Sequence, residues 1–221
     1  MQDPSSVFNQ IQTDFAPEAN SPEPVASDNK RKQQILAVAT DVFAECGFRN
    51  TDVEEIAKRL GIGKGTIYRQ FPTKQELFYG CVDEAMRSLH VFLAERTKHT
   101  NDPIERIKEG IRTTLQFFDE HPQLIELLMQ ERSEFRDRQR PTYHVHKEKT
   151  IEAWQHLLSL AMQEGRIRAM PVERITGLIS NLLYGTVFNH YFCGRGETLS
   201  SYAEPWIDIL LKGIEPNKGN H

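Results

Sequence analysis

An all-α fold is what this sequence predicts: a small N-terminal three-helix unit followed by a larger helical body. Three observations carry the prediction. From Lys30 onward, apolar residues recur at the three- and four-residue spacing of buried helix faces. Capping residues, prolines and glycines interrupt that pattern where helices should begin and end. No stretch alternates apolar and polar residues as a half-buried strand does, and no internal repeat is present.

The elements follow in order. Residues 1–29 hold Pro4, Pro17, Pro22 and Pro24, five acids and no Lys or Arg, and few large apolar side chains. Such a segment buries too little surface to offset its ordering entropy, so it reads as a flexible acidic tail. Val7, Phe8, Ile11 and Phe15 have helical spacing, so docking of this tail on its own protein stays open. Residues 31–46 form the first helix, with Ile35, Ala39, Val42 and Phe43 on one stripe; Gly47 stops it and Phe48 follows as the apolar residue after a glycine cap. Asp52 with Glu55, or Thr51 with Glu54, caps a short helix from Val53 to Leu60, which Gly61 ends. A third short helix covers Lys64 to Gln70 and breaks at Pro72-Thr73. Thr73 with Glu76 then opens a long fourth helix over 74–98. Asp102-Pro103 restarts the chain, and helices are expected over 103–120, 122–138, 142–164, 171–192 and 201–214. Residues 215–221 read as a second flexible tail. The domains expected are thus 30–76 and 77–214.

Composition narrows the function. The chain has 221 residues, is 38% hydrophobic and carries a formal net charge of −4, so it is not a basic nucleic-acid binder overall. The charge is uneven: residues 30–80 hold nine bases against six acids, a local basic segment able to attract phosphate. Cys46, Cys81 and Cys193 are odd in number and far apart, which suggests no disulfide framework or zinc site; they read as small buried residues in a reducing cytoplasm. The N-terminus has no signal-peptide pattern, and no run of about 18 apolar residues would span a membrane.

The segment Gly61-Ile62-Gly63-Lys64-Gly65-Thr66-Ile67-Tyr68-Arg69-Gln70-Phe71 lies in the basic region and looks at first like a nucleotide loop. It fails both nucleotide patterns. Gly65 follows Lys64 where a P-loop needs Ser or Thr, Lys58 stands where its first glycine should be, and Thr66 replaces the third glycine of a dinucleotide fingerprint. A helix, not a strand, precedes it. The spacing instead fits a helix-turn-helix. Gly61 closes the first helix, Ile62 plugs the joint, and Gly63-Lys64-Gly65 opens the second, whose free N–H groups and positive dipole end favour a phosphate of a duplex.

The stretch ILAVATDVFAECGFRNTDVEEIAKRLGIGKGTIYRQFPTKQELF closely resembles the DNA-binding domain of TetR-family transcriptional regulators. Ile35-Leu36, Ala39, Phe43, Gly47-Phe48, Thr51, Val53, Ile56-Ala57, Gly61, Gly65-Thr66-Ile67-Tyr68, Phe71, Lys74 and Leu77 carry the resemblance, in order and at fixed spacing. Family members often have Thr or Ser where this chain has Asp52, which puts a phosphate contact from that position in doubt. The resemblance implies a ligand-binding and dimerisation domain after the head and double-stranded DNA as partner. It also implies a repressor released from a palindromic operator by a small molecule, in a bacterial-type cytoplasm and nucleoid-associated when bound. The alternative is a DNA-binding regulator of the same fold with no small-molecule inducer, governed by a protein partner. No paired carboxylates or nucleophile–base set suggests an enzyme, and no cofactor is expected.

By resemblance, Thr66 and Tyr68 contact backbone phosphate, Lys64 reaches a base edge or phosphate, and Lys74 anchors a phosphate. Gly65, Arg69 and Arg49 complete the expected DNA contacts; Ile67 and Phe71 are assigned to the core. A recognition helix this short calls for two copies on a twofold axis, about 34–36 Å apart. The expected homodimer face is Leu178, Ile179, Leu182, Leu183, Val187 and Tyr191 with Trp206 and Leu210, Gly177 and Gly185 permitting close approach. Candidate effector-pocket residues are Phe117, Phe118, Phe135, Arg136, Tyr143, Trp154, Tyr184 and Phe188. Arg132, Arg136 or Arg140 could meet an acidic ligand, pair across a dimer, or simply be solvated. His144 and His146, two apart on a helix, diverge by about 200° and should not chelate a metal together.

Overall fold

The computed structural model describes residues 23–193 and 196–214. Most of the expected N-terminal tail, with Val7, Phe8, Ile11 and Phe15, and the whole of 215–221 lie outside the described residues. The helices are α1 (Glu23–Asn50), α2 (Val53–Leu60), α3 (Lys64–Gln70), α4 (Lys74–Thr97), α5 (Pro103–Glu120), α6 (Pro122–Glu134), α7 (Thr142–Gln163), α8 (Val172–Cys193) and α9 (Ala203–Ile214), with a 3₁₀ turn over Leu199–Tyr202 before α9. Among the described residues there is no strand, and no helix is long and apolar enough to cross a membrane.

The expected caps explain most boundaries. Gly47 has φ 78°, a conformation only glycine adopts cheaply, and breaks α1 there. Asp52 caps α2 by accepting the Glu54 N–H at 2.9 Å. Thr51 is not a cap: its hydroxyl donates to the Gly47 carbonyl at 2.7 Å, tying off the broken end of α1. Gly61, at φ 64°, ends α2 while its N–H reaches the Lys58 carbonyl and the Ile62 N–H reaches that of Ala57. That pair of bonds is a Schellman closure. Thr73 accepts the Glu76 N–H, and Asp102 accepts the Glu105 N–H ahead of Pro103.

Two boundaries differ from expectation. α1 begins at Glu23 rather than at 31, so residues 23–29 belong to a helix and not to the tail. α6 ends at Glu134 rather than at 138 because Glu131 draws the chain back. Its carboxylate is 2% exposed and accepts the Thr142 N–H at 3.1 Å and hydroxyl at 2.7 Å, filling the start of α7. Arg138 folds over to pair with it and lies on the Tyr79 ring.

The described residues divide into two compact units. The head unit holds 23–88 together with 122–146, and the body unit holds 89–121, 147–193 and 196–214. These units do not coincide with the expected domains 30–76 and 77–214. In the head unit, α1 packs on α2 and α6, and α2 on α3. Ile35, Phe43, Ile56, Ile67, Leu77 and Phe78 form its core. Phe48, Phe78, Tyr79 and Phe135 form one aromatic cluster, in which Phe48 meets Phe78 and Phe135 edge to face, the latter at 4.8 Å. Gly80 is required there, since a Cβ would lie 2.9 Å from the Phe71 ring. In the body unit, α5 is buried on almost every side and packs on α8, α9 and the 3₁₀ turn. Asp119 at the end of α5 accepts the Leu199 and Ser200 N–H groups at 2.6 and 2.8 Å, and Arg112 pairs with Glu204 at 2.6 Å.

Candidate nucleic-acid interface and body cavity

The head unit places a seven-residue helix, α3, beyond a tight turn. Its sequence divides cleanly by face. Ile67 is fully buried and Phe71, which follows, is 5% exposed, so both lie in the core as expected. Tyr68 and Arg69 point to solvent, while Thr66 and Lys64 are half-buried. A Cβ built on Gly63 or Gly65 would meet nothing within 4 Å, so backbone at this end can approach a large partner closely. Neither glycine is needed for a left-handed turn.

Three of the basic side chains are already held. Lys64 Nζ lies 3.1 Å from Asp52 Oδ1. The Glu54 N–H and then Lys64 hold the Asp52 carboxyl below its ordinary range, and Asp52 in turn raises the Lys64 ammonium. Lys74 Nζ donates to the Thr51 carbonyl at 2.9 Å and the Arg49 carbonyl at 3.2 Å, above the Phe48 ring. A lysine ammonium has three N–H donors, so one remains for an outside acceptor. Arg49 pairs with Glu134 of α6 at 2.6 Å, its own side chain 78% exposed. These ties leave all three cations at least partly exposed.

The body unit contains a cavity of about 30 Å³. It is lined by Leu93, Ala94, Gly110, Ala153, Trp154 and Leu157 together with His90, Thr97, Arg106 and Thr150, and its surface is largely apolar. Gly110 has no room for a side chain, because a Cβ would come within 2.4 Å of the Trp154 ring. Arg106 is 5% exposed, and burial pushes its guanidinium below the ordinary arginine range.

Of the pocket residues expected from sequence, Trp154 alone lines this cavity. Phe117 and Phe118 are buried against each other, Phe117 also against Phe92 and His121. Phe135 is spent in the head-unit aromatic cluster, and Arg136 is exposed. Tyr143 meets the His144 ring, and Tyr184 and Phe188 stack on one another at 3.9 Å. The arginine of the cavity is Arg106, not one from the 131–149 run. The signal that points to it is a second inward stripe on α5: Arg106, Gly110, Thr113 and Phe117 are spaced by four, three and four, and all are buried. His146 is buried with Nε2 2.7 Å from Asp83 Oδ1, whereas His144 is exposed. No cluster of His, Cys, Asp and Glu suited to a metal occurs among the described residues.

The expected dimer face separates into two stripes. Ile179, Leu183 and Val187 are buried within the body unit. Leu178, Leu182, Tyr191 and Phe192 on α8 and Ile209 on α9 are exposed, with Trp206 and Leu210 half-buried beside them. Gly177 and Gly185 have open space where a Cβ would stand.

A Schellman-closed helix, a plugged turn and a short helix presenting Lys64, Thr66, Tyr68 and Arg69 define a helix-turn-helix protein, a DNA-binding transcriptional regulator. Residues 35–80 match the family described as bacterial regulatory proteins, tetR family, and residues 103–197 match the tetracyclin repressor-like C-terminal domain. The chain belongs to the TetR family of transcriptional regulators. It is 26% identical over 192 residues to the HTH-type transcriptional repressor KstR2 of Mycobacterium tuberculosis, covering 84% of this chain and 94% of that one. It is 32% identical over 103 residues to the HTH-type transcriptional regulator RutR of Escherichia coli, covering 46% and 47%. In fold it resembles the transcriptional regulator FadR of Bacillus subtilis, solved in complex with stearoyl-CoA, with a TM-score of 0.69 at 21% identity over 83% of this chain and 99% of that one.

Proposed function

We propose that the protein is a repressor, that it binds a palindromic operator as a homodimer, and that a small molecule entering the body cavity releases it. The observation that carries this reading is the cavity itself, a small and largely apolar space enclosed by helices of the body unit, with His90, Thr97 and Arg106 among the residues around it. The similar KstR2 is named a repressor, and the similar FadR was solved with stearoyl-CoA. An effector that binds better when the two heads are wrongly spaced lowers DNA affinity by linkage.

In this reading Thr66 and Tyr68 hold backbone phosphates with Gly65 close beside them. Lys64 and Arg69 reach toward base edges, and the remaining N–H of Lys74 and the exposed Arg49 grip the flanks. Leu178, Leu182, Tyr191 and Ile209 meet their copies in the partner subunit.

The test is a reporter driven by a DNA site that the purified protein selects from random duplexes. Small-molecule extract of the source cells should relieve repression by the wild type but not by Ala153→Leu, which fills the cavity. Equal relief of both proteins, with the variant still repressing in the absence of extract, contradicts the reading.

A further inference from the structure

The first turns of α1 form a surface that the head does not use for packing. Residues 28–34 are exposed one after another, so this stretch of helix meets solvent on every face, and Ile35 is the first buried side chain after it. A helix that is polar all round gains little stability from its own protein. Two contacts nonetheless fix where it lies. The Gln70 amide at the end of α3 donates to the Asp28 carboxylate, and Lys32 Nζ stands 5.6 Å from the centre of the Phe71 ring just after α3. The start of α1 therefore runs beside the end of α3, within the same head unit. The stretch holds three bases, Lys30, Arg31 and Lys32, against the single acid Asp28, on a chain whose formal net charge is −4. At about 100° per residue, Asp28, Arg31 and Lys32 fall within about 60° of the direction of Ile35, and Lys30 points about 140° away from it. Lys32 is already over Phe71 and within electrostatic reach of Glu84. Arg31 is exposed and takes part in no hydrogen bond or ion pair among the described residues.

We infer that α1 makes a DNA-backbone contact of its own, through Arg31, at the end of α3 remote from Lys64 and Thr66. This contact rests on α3 facing the duplex, as proposed above, and needs neither a palindrome nor an effector. At about 1.5 Å per residue, the seven residues of α3 span about 10 Å, close to the ~12 Å width of a major groove. With Thr66 at one wall of the groove, the far end of α3 brings α1 to the phosphates of the opposite wall. The charge of this stretch suits that place, and the guanidinium fork of Arg31 matches two phosphate oxygens together. A phosphate contact carries no base information, but it fixes register and orientation. Held at both ends, α3 would lie at one tilt in the groove. The Gln70 amide sets the spacing between the two helices, so Gln70 and Asp28 act as positioning residues for Arg31.

The experiment uses the full chain, with affinity for a random-sequence duplex and for a selected duplex followed by fluorescence anisotropy between about 50 and 200 mM salt. Arg31→Ala should flatten the plot of log affinity against log salt by about 0.9 per bound chain. The advantage of the wild type should then shrink about 3- to 4-fold per chain across that range. The loss should be equal on both duplexes, because a phosphate contact does not read bases. Arg31→Lys should keep the slope, and Lys30→Ala, on the far side of the helix, should change it by less than half as much. Hydrogen exchange on the wild type adds a readout that needs no variant: amides of 28–34 should gain protection when either duplex is added. An unchanged slope in Arg31→Ala overturns the assignment, as do equal slopes in Arg31→Ala and Lys30→Ala, which would mean diffuse attraction only. A loss confined to the selected duplex, or no added protection of 28–34, also overturns it. Tyr68→Ala separates the two levels. Loss of binding in Tyr68→Ala but not in Arg31→Ala sinks the α1 contact alone, whereas no loss in either sinks the placement of α3 as well.

Discussion

Gln130 offers the sharpest test of how the DNA-reading head is held. Its side chain bridges the break in α1 from a position 82 residues later in the sequence. Oε1 accepts the Phe48 N–H at 2.9 Å, and Nε2 donates to the Phe43 carbonyl at 2.9 Å and to Glu126 at 2.9 Å. The positive φ of Gly47 takes the chain out of the helical ladder, so backbone groups on either side need partners from elsewhere. Gln130→Met keeps length and volume but removes all three bonds. Leaving a buried backbone group unsatisfied costs about 1–3 kcal/mol, and two are at stake; Phe48 is only part-buried, so water can replace some of its loss. A total of about 2–3 kcal/mol is expected, a fall in Tm of about 5–10 °C for a chain of this size. Gln130→Glu should be worse, since it loses the donor and sets a carboxylate beside the Phe43 carbonyl and Glu126. Urea unfolding followed by circular dichroism, fitted with a common slope, gives the number. A Gln130→Met value within about 0.5 kcal/mol of wild type would falsify the claim that this amide clamps the break.

Other expectations follow from the same contacts. Asp52→Asn releases Lys64 and removes a negative charge from the DNA-facing end of α2, so affinity for random duplex should rise ~2- to 10-fold at low salt while the preference for the selected site narrows; equal losses on both duplexes would show instead that Asp52 is needed for contact. The His146 hydrogen bond holds the Asp83 carboxyl down at about 2, against an ordinary value of 3.8. A lowered folded-state pKa gives stability that is present above the unfolded value and lost as pH falls from about 4 toward 2; Asp83→Asn should flatten that acid limb, by less than about 1 kcal/mol because the carboxylate is half exposed. An unchanged limb by urea titration at several pH values refutes it. Burial pushes the Cys81 thiol up to about 12, whereas Cys46 and Cys193 are exposed. An aromatic disulfide reagent should therefore modify Cys46 and Cys193 in the native protein and Cys81 only after unfolding, and equal rates for all three would contradict the packing of α4 described above.

The helices were legible because most boundaries have a local cause. Gly47, Gly61 and Gly165 have positive φ, and Asp52, Thr73 and Asp102 accept the N–H groups that open their helices. The core of the head was legible for the same reason, since Ile67 and Phe71 fall on the buried side of a short amphipathic segment. What sequence could not give were long-range pairings. Gln130, Glu131 and Glu134 look like surface residues of a charged helix, yet Glu131 caps α7 and the other two reach the end of α1. That is why the expected domain boundary fell at 76 while the head unit also includes 122–146. Aromatic content as a marker picked out one residue of this cavity, Trp154. Most of the other rings meet each other, and the rest of the lining, from Leu93 and Arg106 to Ala153 and Leu157, lies on faces that helical periodicity counts as core.

The most direct measurement of the central claim is selection of duplexes from a random pool by the purified protein at physiological salt, with the stoichiometry of the winning complex determined by sedimentation. The account predicts a palindromic site whose half-sites lie about one helical turn apart, or a multiple of it, bound by an even number of chains. It also predicts loss of that binding in Tyr68→Ala combined with Lys74→Ala, with the variant still folded. Enrichment of no palindrome, or an unchanged affinity in the double variant, would contradict it.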